Sequence, residues 1–410
     1  MKLSRLARIA LLLFLLSLFP SPLSPSCPAA QAKEAPQLTV YFPNWNVYIA
    51  GDGQVKDLPW QRLDCIHHAF WKIVSSGDGY AIVSTDPWAD TNANNPKAHF
   101  PQYARLTKQY PKVRVLLSIG GWTCCGLFSR MASTPEGRAS FIQSCVDTLR
   151  AYPFLSGIDV DWEYPGVART GSGRDEGNPV DGDDFVNYTL LLKEMRAAFD
   201  ASFGKDQKQI TVCAATPTEV LSHQDYASLF PYVNRIHLMT YDMTGAYEAQ
   251  TGHHTALYGP VSVDTAVKYL QGKGVPAAKI AIGTPLYSHG WKYTADSDDP
   301  LYAPAVGLSD GGSELWRDLQ AIEKQAVPAG APGWHAGYDG QAQAAYLWND
   351  DPASPAYRYF YTYESERSLD AKLRYIHQHS LGGIVVWQSG GDDSQAGWPM
   401  LNRIYQAFHP

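Results

Sequence analysis

Eight short apolar or alternating runs, separated by stretches with helical spacing, limit most strongly the folds open to this chain. They are Leu38–Phe42, Cys65–Trp71, Arg114–Ile119, Gly157–Trp162, Gln209–Ala215, Arg235–Tyr241, Ile280–Pro285 and Gly383–Trp387. Helices are expected between and after them, at Ser140–Ala151, Asp184–Phe203, Val263–Gly272, Leu369–His379 and Met400–Phe408. Parallel strands need a connection that crosses back over the sheet, and a helix does so while covering a face. Eight such units suit a closed (β/α)8 barrel better than an open doubly wound sheet. The gap between the seventh and eighth runs, about residues 292–358, is too long for one unit and rich in Gly, Ala, Asp, Pro and Tyr. It predicts an α+β insertion subdomain within the barrel.

The fourth run carries the chemistry. In Gly157-Ile158-Asp159-Val160-Asp161-Trp162-Glu163-Tyr164-Pro165-Gly166, acids at every second position alternate with apolar residues. On a strand, Asp159, Asp161 and Glu163 line one face about 7 Å apart, and Ile158, Val160 and Trp162 line the other. Three carboxyls on one face do not all ionise cheaply, so at least one is expected to keep a proton near neutral pH, as a general acid must. The polar, Gly-rich stretch 166–183 leaves this strand and, by the barrel rule, belongs at the active mouth.

Charge and composition narrow the partners. A net charge of −7 disfavours nucleic acid and anionic membrane surfaces, and leaves a neutral polymer open. The 12% aromatic content, with 12 Trp and 25 Tyr, suits a groove in which rings stack on sugars as well as it suits a core. Lys2, Arg5 and Arg8 precede the apolar run of residues 9–19, and Ala30-Gln31-Ala32 offers a small-x-small cleavage site, so residues 1–32 read as a secretory signal peptide. The mature chain, 33–410, is expected to be exported, soluble and monomeric. If Cys27 leaves with the leader, Cys65, Cys124, Cys125, Cys145 and Cys213 remain. Cys124 and Cys125 are open to a bridge with each other or with Cys145, or to remaining buried thiols.

Several of these stretches resemble glycoside hydrolase family 18, in particular the bacterial and fungal chitinases with an α+β insertion before the last strand. The family's Asp-x-x-Asp-x-Asp-x-Glu motif on the fourth strand places its last three acids on Asp159, Asp161 and Glu163. Ser118-Ile119-Gly120-Gly121-Trp122 resembles the third-strand motif, and Met239-Thr240-Tyr241-Asp242 the sixth-strand one. Tyr41-Phe42-Pro43-Asn44-Trp45 resembles the first strand and Gly382-Gly383-Ile384-Val385-Val386-Trp387 the eighth. The resemblance implies a TIM barrel and a secreted chitinase that cuts β-1,4 links between N-acetylglucosamine units with retention. In that mechanism Glu163 is the general acid and base, and the substrate's acetamido group attacks to form an oxazolinium. Asp161 stabilises that group and Asp159 shares a proton with Asp161. Tyr241 and Asp242 hold the reacting sugar, which stacks on Trp387. Tyr41, Phe70, Trp122, Met239, Tyr287 and Trp291 are the further candidates for substrate contact, each equally open to a core role.

The pattern departs from the family at two points. The first motif acid falls at Ser156, which leaves the inner end of the row without a partner for Asp159. In Gly283-Thr284-Pro285-Leu286-Tyr287-Ser288-His289-Gly290-Trp291, His289 stands where many members have Arg, so the contact there is expected to depend on pH. No cofactor or metal is expected: neighbouring His67 and His68 point to opposite strand faces, and His253-His254 lacks an acid at helical spacing. Two other readings compete with the chitinase. A chitin-binding lectin would lack the catalytic acid, which Glu163 supplies; an endo-β-N-acetylglucosaminidase acting on N-glycans or peptidoglycan would keep it, yet such enzymes usually lack the insertion.

Overall fold

The computed structural model describes residues 35–49, 54–308, 312–328 and 330–410, so the leader expected at 1–32 lies outside the described residues. Eight parallel strands form the barrel: β1 (Gln37–Pro43), β2 (Cys65–Ser76), β3 (Arg114–Gly120), β4 (Leu155–Asp161), β5 (Gln209–Ala214), β6 (Arg235–Leu238), β7 (Ile280–Pro285) and β8 (Gly383–Trp387). Each pairs in parallel with the next, and β8 pairs with β1 to close the ring.

Outward side chains build the main core. Val40, Ile66, Leu117, Ile158, Val160, Val212 and Ile236 pack against helices that include Pro135–Ala151 and Asp184–Phe203. Helix starts follow from the sequence: Thr134 accepts from the Gly137 amide ahead of Pro135, and Asp183 accepts from Val186. The first helix therefore begins five residues before the position expected from its apolar spacing.

The inward face is unusual in its polarity. Branched aliphatic residues ordinarily fill the inside of such a barrel. Here Tyr41, His67, Ser118, Asp159, Thr211, Cys213 and His237 share the interior, all at most 3% exposed. Register sets them side by side: Ser118 pairs with Asp159, Asp159 with Thr211, and Cys213 with His237.

Two departures from the expected outline concern strand ends. β2 runs on to Ser76 and turns back through an antiparallel strand, Gly79–Ser84, which the alternation did not reveal. The insertion is also wider than 292–358. His289–Tyr293 pairs antiparallel with Tyr359–Tyr363, and both belong to a five-stranded sheet with Ala305–Gly307, Trp334–Asp339 and Ala344–Asn349. Where this sheet meets the barrel, buried Lys372 pairs with Glu364, which also accepts from Thr284 of β7 at 2.7 Å. Among the described residues no helix is long and apolar enough to cross a membrane, and all five cysteines are free thiols.

Candidate active site

The carboxyl row starts deep inside the barrel. Asp159 accepts hydrogen bonds at Oδ2 from Tyr41 (2.7 Å) and Ser118 (2.8 Å), and at Oδ1 from Thr211 (2.5 Å). His67 Nδ1 lies 3.3 Å from the same Oδ2, and His237 Nδ1 3.9 Å from Oδ1. Burial alone would raise the carboxyl's pKa, but the nearby His67 outweighs it and holds Asp159 below the usual range. His67 answers in kind: burial lowers its pKa, Asp159 raises it further, and it is pushed up to about 10. This corrects the expectation drawn from Ser156. The inner end of the row has its partner, and a histidine on β2 supplies it in place of an acid on β4.

Asp161 is the opposite case. Its Oδ1 is buried with no hydrogen-bond partner, and burial, then the charges of Glu163 and Asp159, raise its pKa well above the ordinary value. It therefore keeps its proton at rest. Glu163 sits just past the end of β4, 9% exposed. Burial first, and the Asp242 charge as well, raise it to about 7, against lowering by a Tyr164 hydrogen bond and by Arg169. The row thus runs from an anion at its base, through a neutral acid, to a carboxyl poised near neutrality at the mouth.

Local sequence holds the last acid in place. The Glu163 amide donates to Cys125 Sγ at 3.2 Å. Outward-facing Trp162 stacks on Phe128 at 5.3 Å and donates to Asn178 Oδ1 at 2.8 Å. Asn178 in turn donates to the carbonyls of Tyr164 and Val167, both at 2.7 Å, which fixes the loop after the strand. The Gly120-Gly121 pair follows from the same crowding: a Cβ on Gly120 would lie 2.1 Å from the Asp161 carbonyl oxygen, and one on Gly121 2.7 Å from the Phe70 ring. Both glycines also have positive φ, where a side chain is strained.

Around the row, Tyr41, Phe70, Cys213, Met239 and Tyr241 form one buried cluster, with Tyr164, Tyr287 and Trp387 packed against it. Trp387 stacks on Phe70, centroids 5.6 Å apart and 21° between planes. Asp242, at φ 56°, receives the Tyr287 hydroxyl and His289 Nε2, the latter at 2.7 Å. Burial raises its pKa, but His254, with Nδ1 at 3.9 Å, and the hydrogen-bonded His289 prevail and hold it low. Trp122 is 50% exposed, and Arg169 lies over its ring at 3.8 Å while donating to its carbonyl oxygen.

Trp291 does not join them. It is wholly buried in the core of the inserted sheet beside Phe360, with its indole N–H donated to the Glu248 carbonyl. A groove-lining role for it does not hold, because the seventh strand stops at Pro285 and the chain has already entered the insertion. Conversely, His67, His237, Cys125, Cys213 and Asn178 reach the site without having been singled out for it. For His67, Cys213 and His237 the signal was a run of polar residues at inward positions of barrel strands, visible only once the strands are aligned; Cys125 and Asn178 lie on the loops after the third and fourth strands and had no such signal.

The chain belongs to Glycosyl hydrolases family 18, whose sequence profile matches residues 37–392. Chitinase A of Pseudoalteromonas piscicida is 28% identical over 439 residues, covering 90% of this chain and 52% of that protein. The chain spans about half the length of the curated relatives it matches first. Among solved structures, the group IV chitinase of Ostrinia furnacalis superposes with a TM-score of 0.79 at 26% identity, covering 92% of this chain and 100% of that one. A family 18 N-acetylglucosaminidase from Paenibacillus barengoltzii gives 0.72 at 28% identity, covering 91% and 99%.

Proposed function

We propose that this chain is a secreted chitinase that hydrolyses β-1,4 links between N-acetylglucosamine units with retention of configuration, using the substrate's own acetamido group as nucleophile. The observation that carries this is the row itself: Asp159 held by three hydroxyls at the base, Asp161 with a buried, unpartnered Oδ1 above it, and Glu163 at the mouth. Glu163 donates its proton to the leaving glycosidic oxygen and then, as a carboxylate, takes one from water. Asp161 Oδ1, buried without a partner, accepts the acetamido N–H and so turns the carbonyl oxygen towards the anomeric carbon. An oxazolinium forms, and the Asp159 charge below stabilises it through Asp161. Tyr241 and Asp242 fix the sugar, and the Trp387–Phe70 stack offers it a flat apolar floor. Relatives named as chitinases support the substrate, and the leader-like N-terminus supports export.

The test is the anomeric form of the first products. Proton NMR in the opening minutes of digestion of N-acetylglucosamine oligomers should show the β-anomer accumulating before mutarotation. Initial α-product, or equal cleavage of glucose oligomers that lack the acetamido group, would refute the substrate-assisted route.

A further inference from the structure

The loop that leaves β4 is bound to the loop after β3 beside the catalytic carboxyl. Arg169 lies 3.8 Å over the Trp122 ring and donates to the Trp122 carbonyl oxygen and to Asp175. Asp175 also accepts from the Gly177 amide at 2.8 Å, and the backbones of Arg169 and Asn178 exchange hydrogen bonds of 3.0 and 2.8 Å. A second tie runs through Glu176, whose amide donates to the Thr123 carbonyl at 3.0 Å and whose carboxylate pairs with Lys72 at 2.8 Å. We propose that Arg169 is a positioning residue for the sugar on the leaving side of the cleaved bond: it clamps Trp122 by one ring face and offers the other face to that sugar. The identity of the sugar rests on the chitinase reading; the clamp does not.

Trp122 is 50% exposed although a guanidinium covers one face, so the open area is the face opposite. The ring stands outside the cluster that carries Trp387 and Phe70, while the Trp122 amide faces the Glu163 carboxyl. With the reacting sugar on Trp387 and Glu163 at the glycosidic oxygen, Trp122 is left for the sugar beyond the bond. Arginine suits the clamp because its planar group stacks on a ring while its N–H groups reach Asp175 and the carbonyl, which a lysine ammonium does not achieve together. An unclamped ring would lose rotamer freedom when a sugar stacks on it, and the clamp removes that cost in advance. Arg169 also acts through charge. The groups facing Glu163 are Asp161 below it, Asp242 after β6, the neutral Tyr164, Tyr241 and Cys125, and Arg169. Arg169 is the one permanent cation among these, and it favours the carboxylate.

Two variants separate the clamp from the charge. Arg169→Ala should raise KM for an N-acetylglucosamine pentamer about five-fold with kcat at acid pH within about two-fold, and the rise should vanish in a Trp122→Ala background, because the arginine acts through that ring. The same variant should move the basic limb of kcat/KM up by about half a pH unit, whereas Arg169→Lys, which keeps the charge without the stack, should raise KM and leave the limb in place. An unchanged KM, a rise that persists in full beside Trp122→Ala, or a loss confined to kcat would overturn the proposal. Acrylamide quenching of the Trp122 emission, taken as the difference from Trp122→Phe protein, reads the clamp without substrate. It should increase in Arg169→Ala, with the milder Arg169→Lys giving the same reading if the alanine variant loses its fold; unchanged quenching would also overturn the proposal. Should the wild type cleave no N-acetylglucosamine oligomer, the chitinase reading fails, and the quenching still decides the clamp.

Discussion

Asp159 and Asp242 each face two imidazoles, and they differ chiefly in access to water. Asp159 is fully buried between His67 and His237, whereas the Asp242 side chain is 52% exposed beside His289 and His254. Both carboxyls are held below their usual range, yet the histidines respond in opposite ways. His67 is pushed up to about 10, whereas burial drives His254 down to about 4. The difference follows from geometry. His67 meets a carboxylate as dry as itself, so their attraction is weakly screened, while His254 is buried against a carboxylate that water can reach.

The comparison can be broken by removing each carboxylate. Asp159→Ala strands an imidazole in the interior and should cost about 3–5 kcal/mol in urea unfolding. Asp242→Ala, at a half-exposed position, should leave stability within about 0.5 kcal/mol while lowering kcat/KM on N-acetylglucosamine oligomers about 100-fold. Equal stability losses in the two variants would contradict the distinction.

The pH dependence sharpens it further. Glu163 must carry its proton to act as acid, so kcat/KM should fall as pH rises through about 7. Stability has the same sign. Between the ordinary 4.5 and about 7 the folded chain holds a proton that the unfolded chain releases, so stability declines with rising pH across that window. Glu163→Gln should flatten this part of the Tm-against-pH curve; an unchanged slope would show that Glu163 is not the group responsible. The smallest effect is expected from His289→Arg, which keeps a donor to Asp242. It should change kcat/KM by only about two- to three-fold. A drop as large as that of Asp242→Ala would mean that His289 does more than support Asp242.

The sequence revealed these features unevenly, for physical reasons. The period of two placed Asp159, Asp161 and Glu163 on one face, and strand–helix alternation gave the barrel, because both signals are local. The partners of Asp159 are not local: Tyr41, His67, Ser118, Thr211 and His237 come from five different strands, and only ring closure and register bring them together. Ser156 misled for the same reason, since a missing acid on one strand was made good by a histidine on another. Trp291 was misplaced because it closes the stretch that resembles the seventh-strand motif, while past Pro285 the chain turns into the antiparallel insertion. The hairpin after β2 escaped notice because Gly79–Ser84 is short and only partly buried.

The central claim is that Glu163 is the proton donor of a chitin hydrolase, and mass spectrometry of products from an N-acetylglucosamine pentamer tests it most directly. Wild type and Glu163→Gln would be incubated side by side, with an N-glycopeptide as parallel substrate. The account predicts short N-acetylglucosamine oligomers from the wild type alone, an intact glycopeptide, and a variant that remains folded and chitin-binding but at least about 1,000-fold slower. Pentamer cleavage by the variant at the wild-type rate, or a trimmed glycopeptide beside an intact pentamer, would contradict it.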